Sequence, residues 1–309
     1  MTFFSPPVDA SGGGAAQQLS RHRPPRAGIR VPALLGLAPF AAYVLLFLAV
    51  PTIIAVATGF FDSEGALTGA NLAALAHPTV ISTFVSSFWV SALTAGCGAV
   101  IGALVCVALW QSPETGRLRS IVDSASSVLA QFGGVMLAFA FIATIGNQGL
   151  ITLILRDSFG IDIFENGVWL YQVPGLVLPY LYFQVPLMVI TFMPALAALK
   201  PQWAEANATL GGSRRSYWVR IAVPVLAPSF FGSLLLLFAN AFSSYATAAA
   251  LISQGAQIVP LQIRSALVSE TVLGRENMAG ALAFGMIIVM VIVMSAYSVL
   301  QRRASRWQR

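Results

Sequence analysis

Long runs of apolar residues are the feature that most limits what this chain can fold into. The first, residues 33–61, carries no charged side chain and exceeds the roughly 20 residues that a helix needs to cross the hydrocarbon core of a bilayer. A backbone surrounded by lipid must satisfy its own hydrogen bonds, so such runs form helices. The chain is 57% hydrophobic, above the roughly 45–50% of an ordinary soluble domain. We therefore predict an all-α, polytopic membrane protein with six transmembrane helices at about 33–61, 80–110, 121–146, 168–199, 224–243 and 280–300.

The distribution of basic residues predicts which loops face the cytoplasm. Of the 17 Lys and Arg residues, three (Arg156, Arg264 and Arg275) fall in the loops of one side. The rest lie before the first span, after the second span, in 200–223 and in 302–309. By the positive-inside rule, both termini and the segment 200–223 are cytoplasmic. The opposite loops are 147–167, with a short surface helix at 149–159, and the amphipathic stretch 244–279, which is too polar to cross and is expected at the outer surface.

Residues 1–32 differ in composition from the rest of the chain. They are rich in Pro, Gly and Ser and contain Arg21, Arg23, Arg26 and Arg30. So little apolar surface cannot offset the entropy lost on ordering, which predicts a disordered basic cytoplasmic tail. The segment lacks the apolar region near its start that a signal peptide has. Contact with anionic membrane lipid is favoured over binding to nucleic acid.

Several kinds of chemistry are disfavoured by residues that the chain lacks. The only lysine, Lys200, precedes Pro201 and has no glycine-rich loop before it, so the sequence contains no P-loop for ATP. No Cys/His cluster has metal-ligand spacing, and Cys97 and Cys106 are too far apart along one helix for a disulfide. Asp123, near a cytoplasmic end, is the only acid in the predicted spans. We therefore expect a protein that is not an enzyme, binds no metal or cofactor, and takes its energy from a partner.

The segment 200–223 interrupts the apolar pattern with a compact, charged motif. Pro201 suits the first turn of a helix. Trp203, Ala206 and Leu210 recur at three- and four-residue steps, which predicts that they share one helix face. Gly211 and Gly212 are expected to end this helix, and Ser213 is a candidate N-cap for the next.

This region resembles the cytoplasmic signature of type I ABC importer permeases, the inner-membrane components of binding-protein-dependent transport systems. The match covers about 24 positions and rests on Glu205-Ala206, Gly211, Trp218, Ile221, Val223-Pro224 and Pro228. The chain departs from the signature at Asn207, where the pattern has Ala, at Gly212, where it has a small Ala, and at Val223, where it has Leu.

The resemblance implies that 200–223 contains a coupling helix that docks into a cleft on a separate ATPase. The implied coupling residues are Trp203, Glu205, Ala206, Leu210, Gly211 and Gly212. The alternative for Glu205 is a solvated surface charge. The implied partners are two ATPase copies that bind ATP and Mg, a second permease, identical or homologous, and an extracytoplasmic solute-binding protein. The expected location is the bacterial inner membrane.

Polar residues within and beside the spans are candidates for the translocation path. They are Gln131, Gln184, Asn240, Ser243, Ser244, Tyr245 and Thr247. Gln131 and Gln184 have an alternative role as hydrogen-bonding links between helices. The stretch 240–251 resembles the corresponding region of permeases for polyamines, aminoalkylphosphonates and ferric iron, which leaves the substrate open. We expect a small polar solute, cationic or zwitterionic, such as a polyamine or aminophosphonate. The alternative function is an ion-coupled secondary transporter or channel.

Overall fold

The fold is described from a computed structural model that covers residues 31–306, apart from residues 63, 111, 114–115, 166, 253–257 and 269–274. Within these ranges the chain is helical, and its β pairing is limited to an isolated bridge between Phe61 and Leu67. The α-helices are α1 Val31–Val44, α2 Val50–Ala57, α3 Ala70–Ala74, α4 Pro78–Trp110, α5 Arg117–Leu129, α6 Gly134–Ile145, α7 Leu150–Phe159, α8 Val177–Ala197, α9 Pro201–Thr209, α10 Arg214–Tyr217, α11 Val223–Phe242, α12 Ala246–Leu251, α13 Val259–Val268 and α14 Arg275–Arg306.

Within the described part of the chain, six helical stretches are long and apolar enough to cross a membrane, which confirms the predicted fold class. They are Gly36–Phe60, Pro78–Trp110, Gly134–Phe159, Val173–Ala197, Arg214–Phe242 and Asn277–Val299. Contacts divide the chain into two units at Pro51. All packing described below lies within the second unit, which begins at Thr52. The predicted tail, up to residue 30, lies outside the described residues.

The centre of the second unit is the close packing of α4 against α8. Small residues on α4 face this contact. A Cβ added at Gly102 would lie 2.5 Å from the Cβ of Met188, and one added at Gly98 would lie 3.0 Å from the Cβ of Gln184. Small residues allow transmembrane helices to approach closely and gain van der Waals contact. The glycines on α4 are therefore part of what holds the two helices together.

The third predicted span, 121–146, is not one helix. The structure divides it into α5 and α6, separated at residues 130–133, and the apolar window long enough to cross runs over α6 and α7 instead. Gly134 has φ 74°, a conformation that glycine adopts easily and that ends a regular helix. α5 also carries Arg117, Arg119 and Asp123, which makes it amphipathic rather than uniformly apolar. A helix, α7, is present where a short surface helix was expected at 149–159, but it belongs to the apolar stretch Gly134–Phe159 that is long enough to cross.

The fifth span begins earlier than the predicted residue 224. α10 continues through a π-helical turn, Trp218–Ala222, directly into α11. Pro224 cannot donate a hydrogen bond to the carbonyl four residues before it, and a π turn is a common way for a helix to absorb such a loss. The apolar helix therefore extends from Arg214 to Phe242, so the end of the 200–223 segment is part of it.

Candidate functional site

The segment 200–223 folds as two helices joined by a tight glycine elbow. α9 has Pro201 in its first turn and ends at Leu210. Gly211 follows with φ 76°, the left-handed conformation predicted for it. Ser213 caps α10, because its Oγ accepts a hydrogen bond from the backbone N–H of Ser216 at 3.2 Å. The local structure predicted from the sequence is thus present.

Asn207 is a structural residue of the elbow that the sequence did not indicate. The side-chain Nδ2 of Asn207 donates to the backbone carbonyl of Ser213 at 3.2 Å. The backbone carbonyl of Asn207 accepts from the N–H of Gly212 at 2.8 Å. A Cβ added at Gly212 would lie 2.6 Å from Asn207 Cγ, so the amide fills the space that an alanine methyl would take. Two of the departures from the signature, Asn207 and Gly212, are therefore in direct contact and compensate each other in volume.

The packed face of α9 differs from the predicted one. Trp203 is half-buried against the cluster that contains Leu199 and Tyr217. Ala206 is exposed, and Leu210 is 87% exposed. Leu210 lies at the last turn, where the elbow begins, so it no longer follows the helical repeat. The face turned to the bundle is instead that of Trp203 and Asn207, four residues apart.

Glu205 lies on the opposite, exposed side of α9. Its neighbours on that surface, Ala206 and Ala208, are also exposed, and Leu210 extends the apolar area. Among the residues that the structure describes, no cation lies within ion-pair distance of Glu205. The Glu205 carboxylate is therefore open to solvent on this side of α9.

Two helix breaks meet among the candidate path residues. The N–H of Gly134, at the start of α6, donates to Thr247 Oγ1 at 2.9 Å. Thr247 is fully buried on α12, just beyond the end of α11. The hydroxyl of Tyr180 on α8 donates to the carbonyl of Ser244 at 3.0 Å, in the same break. Irregular backbone at membrane depth is stable where such partners are available.

The remaining path candidates fall into two groups. Gln184 is fully buried, and its Nε2 donates to Thr94 Oγ1 on α4 at 2.8 Å, the interhelical link given as its alternative role. Its Oε1 has no partner in the described part of the chain. The exposed candidates are Gln131, Asn240, Ser243 and Tyr245. These four, with the half-buried Ser244, are the candidates whose side chains are accessible in the structure.

Arg264 joins this group, although the sequence did not mark it. A cavity of about 450 Å³ is lined by Ser243, Tyr245, Pro260, Ile263, Arg264, Leu267, Val268 and Met286. The guanidinium Cζ of Arg264 lies 5.9 Å from the centre of the Tyr245 ring. In the sequence, Arg264 is a single charge among apolar residues of an amphipathic stretch, which is typical of a surface residue. The fold shows that it lies beside the end of α11.

The loop after α7 is fixed by a small polar cluster. Arg156 binds Asp162 at 3.0 Å, and the N–H of Phe164 donates to Asp162 Oδ1 at 2.9 Å. The hydrogen bond from Phe164 and the nearby guanidinium lower the pKa of Asp162. In the described ranges no three His, Cys, Asp or Glu side chains group to hold a metal, and Cys97 and Cys106 are both free thiols.

Comparisons with known proteins agree with the helical architecture. No family model matches the chain. It is 22% identical over 208 residues to a putative ferric transport system permease protein, FbpB 1, of Haemophilus influenzae; the match covers 65% of this chain but only 31% of that protein. It is 25% identical over 207 residues to the trehalose transport system permease protein SugB of Mycobacterium tuberculosis, with 65% of this chain and 74% of that protein covered.

Solved structures provide the deciding comparison. A bacterial ABC transporter involved in the import of the acidic polysaccharide alginate aligns with a TM-score of 0.68 at 15% identity, over 87% of this chain and 94% of that one. The same alginate transporter in complex with an alginate pentasaccharide-bound periplasmic protein gives 0.67 at 16% identity, over 87% and 93%. The chain has the fold of an ABC importer permease. The resemblance seen in residues 205–228 is thereby confirmed, and the α9–α10 elbow is part of a permease fold.

Proposed function

We propose that this chain is the transmembrane permease subunit of an ATP-driven importer, which moves a small polar solute inward by alternating access. The main support for the proposal is that Glu205 is exposed on the α9–α10 elbow, which the hydrogen bond from Asn207 to Ser213 holds in place, within a permease fold. A separate ATPase subunit binds this surface and supplies the energy. ATP and Mg bind to that subunit and not to this chain.

A continuous helix gives this contact a mechanical route to the solute path. The helical stretch Arg214–Phe242 has 29 residues and is therefore about 43 Å long. Its first residues form one arm of the elbow, and it ends beside Ser243 and Tyr245. A movement of the elbow, driven by closure of the ATPase dimer, is transmitted along this helix to the break at residues 243–245.

The complete importer has further subunits in this proposal. Two ATPase copies dock at the Glu205 surfaces of two permeases, the second identical or homologous to this chain. An extracytoplasmic solute-binding protein meets the outer segments 147–167 and 244–279, as the complex of the alginate transporter with a periplasmic protein supports. The protein lies in the inner membrane of a bacterium with both termini in the cytoplasm, in line with the distribution of its basic residues.

Substitution of Glu205 tests the proposal. Glu205→Ala in the complete importer should leave the protein in the membrane but abolish ATP-dependent uptake. Glu64→Ala is the matched control, because Glu64 is also an exposed glutamate but lies in the loop after α2, outside the segments assigned to the ATPase and the solute-binding protein; it should retain uptake. Undiminished uptake by the Glu205 variant would contradict the assigned role.

A further inference from the structure

The cavity at the end of α11 contains one charged side chain. Its lining has two polar residues, Ser243 and Tyr245, five apolar ones, and Arg264; no carboxylate lines it in the described part of the chain. Of the other two arginines expected on this side, Arg275 has no described side chain, and Arg156 is already paired with Asp162. Arg264 has no such ion pair with any described residue. The candidate path residues are likewise uncharged, so among the side chains that the structure describes Arg264 sets the sign of the potential in this cavity.

The position of Arg264 is fixed by a well-anchored helix. At the start of α13 the N–H of Val259 donates to the buried Ser87 Oγ at 2.8 Å, and Val259 is fully buried. One turn and a half later, the Arg264 guanidinium lies over the Tyr245 ring at 5.9 Å. Stacking on an aromatic ring leaves the N–H donors at the edge of the guanidinium available. These donors match the geometry of a carboxylate, sulfate or phosphonate.

We infer that Arg264, with Tyr245 and Ser243, forms an oxyanion site on the translocation path, and hence that the transported solute carries a carboxylate, sulfate or phosphonate group. This rests on the proposed function, since it assigns a substrate class to the same importer. Of the two solutes expected from the sequence, an aminophosphonate has such a group. A polyamine has only positive charges, which Arg264 repels and no described carboxylate in the cavity attracts.

The charge preference can be measured on this chain alone, without any solute or ATPase. Ser243→Cys is introduced into the full chain with Cys97→Ser and Cys106→Ala, in vesicles of zwitterionic phosphatidylcholine that add no anionic headgroup. The rate of thiol modification is measured with an anionic sulfonatoethyl and a cationic trimethylammonioethyl methanethiosulfonate. The anionic-to-cationic rate ratio should fall on the order of tenfold when Arg264→Gln is added.

A cysteine outside the membrane spans and away from the cavity provides the matched control. Leu67 is 79% exposed in the loop after α2 and does not line the cavity, so the rate ratio at Leu67→Cys should not respond to Arg264→Gln. An unchanged control also shows that the Arg264 variant is folded. If the ratio at position 243 is independent of Arg264, the oxyanion site is refuted.

Uptake by the complete importer then tests the solute class. Sulfate, 2-aminoethylphosphonate and spermidine are the probes. Uptake of an oxyanion probe is expected, with its half-saturating concentration raised roughly ten- to a hundredfold by Arg264→Gln and largely restored by Arg264→Lys. Preferential uptake of spermidine, insensitive to Arg264, would overturn the inference while leaving the importer function intact. A complex that shows no ATP-dependent uptake of any probe would instead contradict the proposed function, and the thiol measurement would still decide the charge preference.

Discussion

The contact between Asn207 and Gly212 makes a quantitative prediction about the elbow. With Asn207 present, a methyl group at Gly212 displaces the amide and breaks its hydrogen bond to the carbonyl of Ser213, because the two groups need the same space. A lost hydrogen bond costs about 0.5–1.5 kcal/mol. Replacing glycine by alanine also stabilises by about 0.4–1 kcal/mol through the unfolded chain. Gly212→Ala should therefore change stability little in the native background.

The same substitution should be stabilising once the amide is gone. In the Asn207→Ala background the amide is absent, so the methyl group of Gly212→Ala breaks no hydrogen bond. Only the stabilisation through the unfolded chain remains. The double variant should be more stable than the sum of the single effects by about 1 kcal/mol. In a chain of this size that corresponds to about 2 °C in the melting temperature, measured on the detergent-solubilised full chain.

Gly211 is the control for this double-mutant cycle. A methyl group at Gly211 meets no atom within 4 Å, but Gly211 has φ 76°. Gly211→Ala should cost about 1 kcal/mol from backbone strain, by the same amount with Asn207 or Ala at position 207. If the effects of Gly212→Ala and Asn207→Ala on stability add to within about 0.3 kcal/mol, the two residues do not interact, and the proposed link across the elbow is refuted.

Three further predictions concern packing, a buried hydrogen bond and pH. Gly102→Ala should destabilise the protein by about 1–3 kcal/mol because its Cβ has no space on the α4–α8 contact, whereas Gly96→Ala, with no atom within 4 Å, should be neutral or slightly stabilising; thermal melting compares the two. Thr247→Val leaves the N–H of Gly134 without its partner and should cost about 1–3 kcal/mol in the same assay. Asp162 has a lowered pKa in the folded state, so its contribution to stability is present above the unfolded value of about 3.9 and is lost as the pH falls through the lower folded value. The difference in melting temperature between the native protein and Asp162→Asn should therefore shrink as the pH is lowered through this range, and a pH-independent difference would contradict the assignment.

The sequence predicts the number of spans because hydropathy and length alone define them, but it misplaces the third span and the start of the fifth. It also predicts the elbow, because Pro201, Gly211 and Ser213 act through local backbone geometry. The division at residues 130–133 was not predicted, although the pair Gly133-Gly134 is a local signal that can interrupt a helix. The N–H of Gly134, which has φ 74°, finds its acceptor in Thr247. Such a partner is 113 residues away, and local patterns contain no information about it.

The residues of the candidate site likewise divide into those that the local sequence indicates and those that depend on contacts between distant segments. Asn207 appeared in the sequence as a departure from a signature, and its function became evident only with the position of Gly212. Arg264 appeared as one charge on an amphipathic helix, and its role depends on the approach of α13 to the end of α11. Side-chain contacts between distant segments are thus the part of the site that required the structure.

Cross-linking from position 205 tests most directly whether a separate ATPase drives this chain through the elbow. Glu205→Cys, in a chain with Cys97→Ser and Cys106→Ala, is labelled in native membranes with a short cross-linker that has one thiol-reactive and one photoreactive group; the membranes are irradiated, and the product is identified by mass spectrometry. A product that joins the chain to an ATP-hydrolysing subunit, with a yield that changes when ATP is added, is expected. Reaction at position 205 only from the outer side of the membrane, or a product that contains only an extracytoplasmic protein, would contradict the proposed coupling.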